Sequence, residues 1–246
     1  MNLKNIIINQ FLSKVYKAFL SVKTEQKPLF MIKTDKALVI SPCAGDETLG
    51  MGGTIAKYSK NIRVLCLTDK TCGVNPSSKK EAKALCEKEL ADAMNIAKVQ
   101  QFEYLHSPNN EVIYAYEKLL KTDMSSYDYI FVPTPTDNVS NYKSLGVLMK
   151  RVLSEQKNLK NTLKIVLYEV WAPMPVTNNF VDISEKAETK NEMIKAYKSI
   201  SDGERVITSI NALSQYRKYM TGKKQSEVFL SFDYKDFIKF ITSIYG

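Results

Sequence analysis

The chain has 246 residues, 44% of them hydrophobic and 25% charged, which supplies one sizeable core and favours a single domain over two. Its 35 Lys and Arg outnumber 26 Asp and Glu for a net charge of +9, a balance suited to anionic partners such as phosphorylated sugars, acidic glycans or anionic membrane faces. The basic residues are scattered and form no nucleic-acid motif, so nucleic acid is not an expected partner; Cys43, Cys66, Cys72 and Cys86 show no CxxC pair or zinc-finger spacing, which excludes a disulfide scaffold.

Residues 1–30 read as an amphipathic N-terminal helix with its exit, and residues 31–246 as one domain. From Met1 to Lys23, Ile7, Phe11, Val15, Phe19 and Val22 recur at helical spacing among Lys4, Lys14, Lys17 and Lys23. Two placements fit: packed against the domain or a dimer partner, or laid as a basic anchor on a membrane surface. The longest uncharged run, Asn5 to Ser13, is too short to cross a bilayer, and no signal-peptide cleavage site follows. A cytoplasmic protein is expected, at most peripheral at the inner face of the membrane.

The stretch Ala37 to Lys57, ALVISPCAGDETLGMGGTIAK, organises the rest of the chain. Ala37 to Ile40 is a short apolar run suited to a strand buried on both faces, expected to stop near Ser41, where turn chemistry takes over as far as Gly45. A helix should start at Asp46 and Glu47, with Gly50, Gly52 and Gly53 allowing close backbone packing. In an open α/β sheet ligands sit at the carboxyl ends of strands, so Cys43 to Glu47 is the first candidate for chemistry.

Strand, loop and helix then alternate. Arg63 to Thr68 reads as a strand, Asp69 to Ser78 as a loop, Lys79 to Lys98 as a helix and Gln101 to Leu105 as a strand. A loop from His106 to Asn110 leads to a helix from Tyr114 to Lys121. Tyr127 to Val132 is the next strand; it opens into Pro133 to Tyr142, the second candidate for chemistry, before a helix from Lys143 to about Glu155. Leu163 to Glu169 is another buried strand, and Phe237, Phe240, Ile241 and Ile244 give the C-terminal segment a helical packing stripe. The alternation predicts an α/β, Rossmann-like, doubly wound fold, a mostly parallel sheet with helices on both faces. Cys66 and Cys86 fall in apolar and helical runs and read as small core residues of a reducing cytosol.

The stretch from Ala37 resembles the first signature of the PIG-L/LmbE family of zinc-dependent N-acetylglucosamine deacetylases, roughly A-H-P-D-D-E-T-L-G-x-G-G-T. The chain keeps Asp46, Glu47, Thr48, Leu49, Gly50, Gly52, Gly53 and Thr54, but has Cys43 for the His, Ala44 for the Pro and Gly45 for the first Asp. The resemblance implies zinc ligation by that His and the second Asp, and a general base at the first Asp, so Asp46 alone keeps its implied role. Where the family reads P-x-x-D-x-H-P-D-H, with an oxyanion-stabilising His and a final zinc-binding His, this chain keeps Asp137 and carries Val139, Asn141 and Tyr142 at the first His, the Asp and the last His. The likeness continues through YEVWAPMPVTNNFVDIS, through Lys190, Ala196, Tyr197, Lys198 and Ser199 with Ile200 for a Gln, and through Tyr216, Arg217 and Ser226 to Phe229. It spans roughly Lys36 to Leu230. Glu89 aligns with a family Glu, while Cys86 stands where the family has an Arg.

Hydrolysis by zinc needs three protein ligands and an open position for water. With Asp46 as the one aligned ligand and Cys43 as a conceivable second, no cofactor is expected, zinc being that of the resembled family. His106, the only histidine, reads as a pocket-rim residue, a catalytic acid or base, or a lone ligand. The candidate catalytic set is Cys43, Asp46 and His106. Candidate sugar contacts are Asp46, Asp137, Asn138, Asn141, Tyr142, Trp171 and Arg217; Trp171 fits core packing equally well, and Arg217 fits an exposed helix position. Three functions are compatible with these residues: a glycan-pathway protein that has lost deacetylase activity and binds a sugar, glycan precursor, protein partner or second copy; an enzyme of metal-independent chemistry on a sugar or nucleotide-sugar; and a zinc deacetylase with an unorthodox ligand set.

Overall fold

A computed structural model describes residues 12–19, 25–69, 78–200 and 202–245. The apolar run at Ala37 forms the central strand β2, since every residue of Ala37–Cys43 is buried. Preceding it are helix α1 (residues 12–19) and a two-residue strand β1 (Lys27–Pro28). Strands β3 (Ile62–Thr68), β4 (Gln101–Tyr104), β5 (Tyr129–Pro133), β6 (Lys164–Tyr168), β7 (Asn179–Asp182) and β8 (Ser226–Asp233) complete one sheet, ordered β1-β7-β8-β6-β5-β2-β3-β4. Neighbours pair in parallel except β8, which runs antiparallel to both β6 and β7.

Along β2 the side chains alternate between two cores, as a strand period of two requires. Val39 joins one core with Leu49, Ile55, Leu90 and Met193; Leu38 and Ile40 join the other with Leu148, Val152, Phe237 and Ile241. The first core is covered by α2 (Asp46–Lys57), α3 (Lys79–Ala97) and α6 (Ala187–Ala196). The second is covered by α5 (Ser140–Glu155) and α9 (Tyr234–Tyr245). Further helices are the short α4 (Tyr116–Lys121), α7 (Gly203–Tyr216) and the short α8 (Lys218–Thr221). The expected doubly wound α/β architecture is present. The sheet is wound outward from β2 in one direction and from β5 in the other, so the crevice at their carboxyl ends is the topological switch point.

Several boundaries differ from expectation. Strand β2 runs on through Ser41 and Pro42 to Cys43, because β3 supplies pairing partners for Ser41 and Cys43. Helix α5 starts at Ser140, which places Asn141 and Tyr142 in its first turn rather than in a loop. The helix expected from Tyr114 begins as a 3-10 turn, Val112–Ala115. Lys27 and Pro28, grouped with the N-terminal helix by sequence, already pair with β7.

Helix α1 buries Ala18 and Phe19, the latter edge-on to Phe240 at 5.5 Å, so this part of the amphipathic helix packs on the domain. The rest of Met1 to Lys23, and residues 70–77 of the loop expected at Asp69 to Ser78 with Cys72, lie outside the described residues. The C-terminal stripe is fully buried: Phe237, Phe240, Ile241 and Ile244 all face the core. Among the described residues no helix is long and apolar enough to cross a membrane.

Candidate functional site

The loop leaving β2 turns through Gly45, whose φ of +97° is open to glycine and strained for other residues. That turn delivers Asp46 and Glu47 to the first turn of α2, both buried. Glu47 is the hub. Its Oε2 accepts hydrogen bonds from Ser41 Oγ at 2.8 Å and Gly45 N at 3.2 Å; its Oε1 accepts from Thr48 Oγ1 at 2.9 Å and Tyr197 Oη at 2.5 Å. A buried carboxylate saturated in this way anchors the loop and has no lone pair to spare for a substrate.

Asp46 is less well served. Its Oδ2 accepts from Cys43 N at 3.2 Å. The Tyr142 hydroxyl, on the first turn of α5, comes near enough to favour ionisation but forms no hydrogen bond of ordinary geometry. Burial dominates, and with the neighbouring Glu47 charge it pushes the Asp46 carboxyl up to about 8. The same burial, followed by the Asp46 charge, raises the Tyr142 phenol far above its ordinary value. Cys43 is 4% exposed with its Sγ 3.7 Å from Thr68 Oγ1. The switch-point crevice therefore brings together a carboxyl that burial pushes up, the Tyr142 phenol and the Cys43 side chain, all buried.

Above this cluster lies the segment after α6. A Cβ built on Gly45 would sit 3.4 Å from Ile200 Cδ1 and 3.6 Å from the Tyr197 ring. An acid at position 45, where the resemblance puts the general base, would thus meet both an unfavourable backbone and an apolar lid. Ser199 behind the lid is pinned to α3, its N and Oγ donating to Glu89 at 2.7 and 2.5 Å.

Zinc does not fit these residues. Among the described residues no three His, Cys, Asp or Glu side chains converge as a metal site. The third position is the Tyr142 phenol, which burial keeps protonated. The set Cys43, Asp46 and His106 is not assembled either. His106, just beyond edge strand β4, is spanned by Asp69 Oδ1 at 2.6 Å from Nδ1 and Glu87 Oε1 at 2.8 Å from Nε2, with Tyr104 stacked at 5.0 Å. Both its nitrogens are committed there.

The candidate sugar contacts divide. Asp137 Oδ2 accepts from Trp171 N at 3.1 Å and Ala172 N at 2.9 Å, and so shapes the turn after β6. Asn141 donates from Nδ2 to the Asn110 carbonyl at 3.0 Å. Asn138 is exposed. Arg217 corrects the expected exposed helix position: it is 5% exposed, with Nη2 2.6 Å from Glu169 Oε2 and Nε 3.3 Å from Oε1. Its anion is supplied from within the chain. Trp171 is 46% exposed and is not core packing.

Sequence reasoning missed the buried carboxylates. Glu227 in β8 accepts Gly53 N at 2.9 Å, Thr54 N at 2.7 Å and Lys190 Nζ at 2.7 Å. The two backbone donors come from α2 where Met51 leaves helical geometry, which frees N–H groups that an unbroken helix would use. Glu169 and Glu227 had one available signal: each is a charge in or just after an otherwise apolar strand, which demands a buried partner.

The family model for PIG-L, GlcNAc-PI de-N-acetylase, matches residues 38–168, more than half of the chain. The chain belongs to the PIG-L family. Solved structures share its fold. The N,N′-diacetylchitobiose deacetylase of Pyrococcus horikoshii aligns with a TM-score of 0.68 at 21% identity, over 96% of this chain and 95% of that one. The conserved protein TT1542 of Thermus thermophilus gives 0.65 at 20% identity, over 80% and 94%. GalB of Pseudomonas putida, a 4-carboxy-2-hydroxymuconate hydratase, gives 0.66 at 15% identity, over 80% and 95%. No curated protein matches the chain in sequence. At these identities the likeness establishes the fold of this PIG-L protein, and its chemistry has to be argued from the switch-point residues.

Proposed function

We propose that this PIG-L protein has exchanged zinc-dependent sugar deacetylation for binding, and serves a glycan pathway of the cytoplasm as a sugar-binding or partner protein. One observation carries the reading: the family's metal and base positions are occupied by Cys43, Gly45 and Tyr142, which leaves the buried Asp46 as the one aligned carboxylate. A single carboxylate beside a phenol makes a poor ligand set for a divalent cation, and a side chain at position 45 would meet Ile200, 3.4 Å from its Cβ, where the family has a base. Partner surfaces other than the crevice include α1, which exposes Leu12 and Tyr16 beside Lys14 and Lys17 and suits a protein or an anionic membrane face.

The test is metal content together with acetate release. Protein purified without chelator should carry far less than one zinc per chain and release no acetate from N,N′-diacetylchitobiose or N-acetylglucosamine. Near-stoichiometric zinc and acetate release, both lost in Asp46→Ala, would overturn the reading. A second reading, metal-independent chemistry on a sugar, draws on the same Asp46, which as an acid of pKa about 8 can donate a proton at neutral pH. The hydratase GalB shows that the fold hosts reactions other than deacetylation. Quantitative labelling of Cys43 by a thiol reagent in the native state would favour this second reading, because it requires an open crevice.

A further inference from the structure

A cleft of about 770 Å³, within the range of roughly 300–1,000 Å³ common for small-molecule sites, opens between α1, α9 and the paired strands β6 and β8. It lies away from the switch point. Lys164 on its wall is the first residue of β6, and Tyr168 at the strand's carboxyl end is four residue steps, roughly 13 Å, further on. The floor is apolar: the Phe232 and Phe240 rings meet at 4.8 Å between centroids, beside Ala18 of α1. Two polar side chains of the wall are committed to the backbone. Asn178 donates from Nδ2 to the Ser231 carbonyl at 3.0 Å and accepts from Ser231 N on Oδ1 at 2.8 Å; Ser243 Oγ donates to the Phe240 carbonyl at 2.7 Å. The rim carries Lys14, Lys17, Lys164 and Lys239 against Asp233 and Asp236. Both acids are already paired, Asp233 with Lys164 at 2.7 Å and Asp236 with Lys239 at 2.9 Å. Lys14 and Lys17, exposed and three residues apart on one face of α1, form no ion pair among the described residues.

This combination selects its ligand by chemistry. An ammonium group donates hydrogen bonds and accepts none, so a neutral polyol, whose hydroxyls need acceptors too, meets only carboxylates that lysines already hold. A cation is repelled by the excess of two positive charges at the rim. A small inorganic anion answers the lysines but leaves the phenyl floor in water, and an uncharged hydrocarbon does the reverse. A molecule with an apolar body and an acid group satisfies both. We propose that the cleft binds a free amphiphilic carboxylate, its aliphatic chain laid over Phe232 and Phe240 and its acid group at Lys14 and Lys17. Helix α1 is then part of a binding site, with Ala18 and Phe19 fixing it to the domain and its lysines facing the ligand. The site is separate from the switch-point crevice and stands whatever chemistry Asp46 performs.

The intact protein is titrated by calorimetry with hexanoate, octanoate and decanoate, each below its critical micelle concentration. Octanol and octyltrimethylammonium supply the chain without the acid, and acetate supplies the acid without the chain. Decanoate should bind saturably at one site per chain, and affinity should rise several-fold for every two carbons added. The controls should give no saturable heat. Replacing both lysines, Lys14→Ala with Lys17→Ala, should weaken decanoate by about tenfold or more. Both side chains are exposed, so circular dichroism and the melting temperature of the unliganded protein should not move. Trp171→Ala, beyond the carboxyl end of β6, should leave the affinity for decanoate as it was. Saturation by none of the carboxylates, an affinity independent of chain length, equal binding of octanol or octyltrimethylammonium, or an affinity unchanged in the double variant overturns the proposal. So does binding to phosphatidylglycerol vesicles without any binding of monomeric decanoate, which marks the lysines as a membrane contact.

Discussion

Asp46→Asn should stabilise the protein at neutral pH, and the gain should depend on pH. The Asp46 carboxyl has an ordinary value of 3.8 and is pushed up to about 8 in the folded chain, mainly by burial. Between those values the folded state holds a proton that the unfolded state has released. Stability is therefore highest below about pH 4, falls as pH rises, and levels off above about pH 8, where both states are ionised. Each pH unit in this window removes about 1.4 kcal/mol, so this group alone costs roughly 4 kcal/mol by pH 7 relative to pH 4. Asparagine matches the protonated acid in shape, can still accept from the Cys43 amide, and cannot ionise. Its advantage should be near zero at about pH 4 and reach several kcal/mol at pH 7, a shift of roughly 10 °C in melting temperature. Urea denaturation followed by circular dichroism across this range measures it. A difference between wild type and Asp46→Asn that is flat with pH, or that favours wild type at pH 7, would mean that Asp46 is ionised in the native state.

Lys190→Met should cost about 3–5 kcal/mol, because Glu227 keeps two backbone donors but loses its cation while both side chains are 3% exposed. Adding Glu227→Gln should recover much of that loss in urea denaturation; simple addition of the two single effects would refute the pairing. Gly50→Ala should destabilise by about 1–3 kcal/mol or more, since its Cβ would lie 2.5 Å from the Glu169 carbonyl oxygen and 2.5 Å from the Tyr168 ring; an unchanged melting temperature would show that the approach is looser. Gly45→Asp, which restores the acid of the family signature, should lose on the order of 1–3 kcal/mol to its backbone conformation and gain no acetate release. Adding Ile200→Ala should relieve only the crowding part of that loss, as read by thermal melts.

Much of the fold was legible because a strand buried on both faces has to be written in apolar residues. Ala37 to Ile40, Arg63 to Thr68, Tyr127 to Val132 and Leu163 to Glu169 all mark strands of the sheet, with most ends within one or two residues. The C-terminal stripe was equally plain, since its helical period leaves Phe237, Phe240, Ile241 and Ile244 no other face to share. Boundaries slipped where tertiary pairing overruled local chemistry, as at Cys43, which β3 draws into the sheet despite the preceding proline. The site was legible only in part. Cys43, Asp46 and Tyr142 do converge, whereas His106, which the sequence groups with Cys43 and Asp46, is held by Asp69 and Glu87.

By itself the sequence determined the layer architecture, the switch-point loops and which residues stand in them, because periodicity and residue identity are local properties of the chain. Only the tertiary structure decided which polar groups face one another: Arg217 with Glu169, Lys190 with Glu227, and the Asp46 carboxyl with the Tyr142 phenol. A side chain's protonation and partners depend on burial and on neighbours distant in the chain. Asp46 reads from the sequence as a metal ligand, and only the fold shows that burial pushes its carboxyl well up, because desolvation outweighs the few hydrogen bonds it is offered.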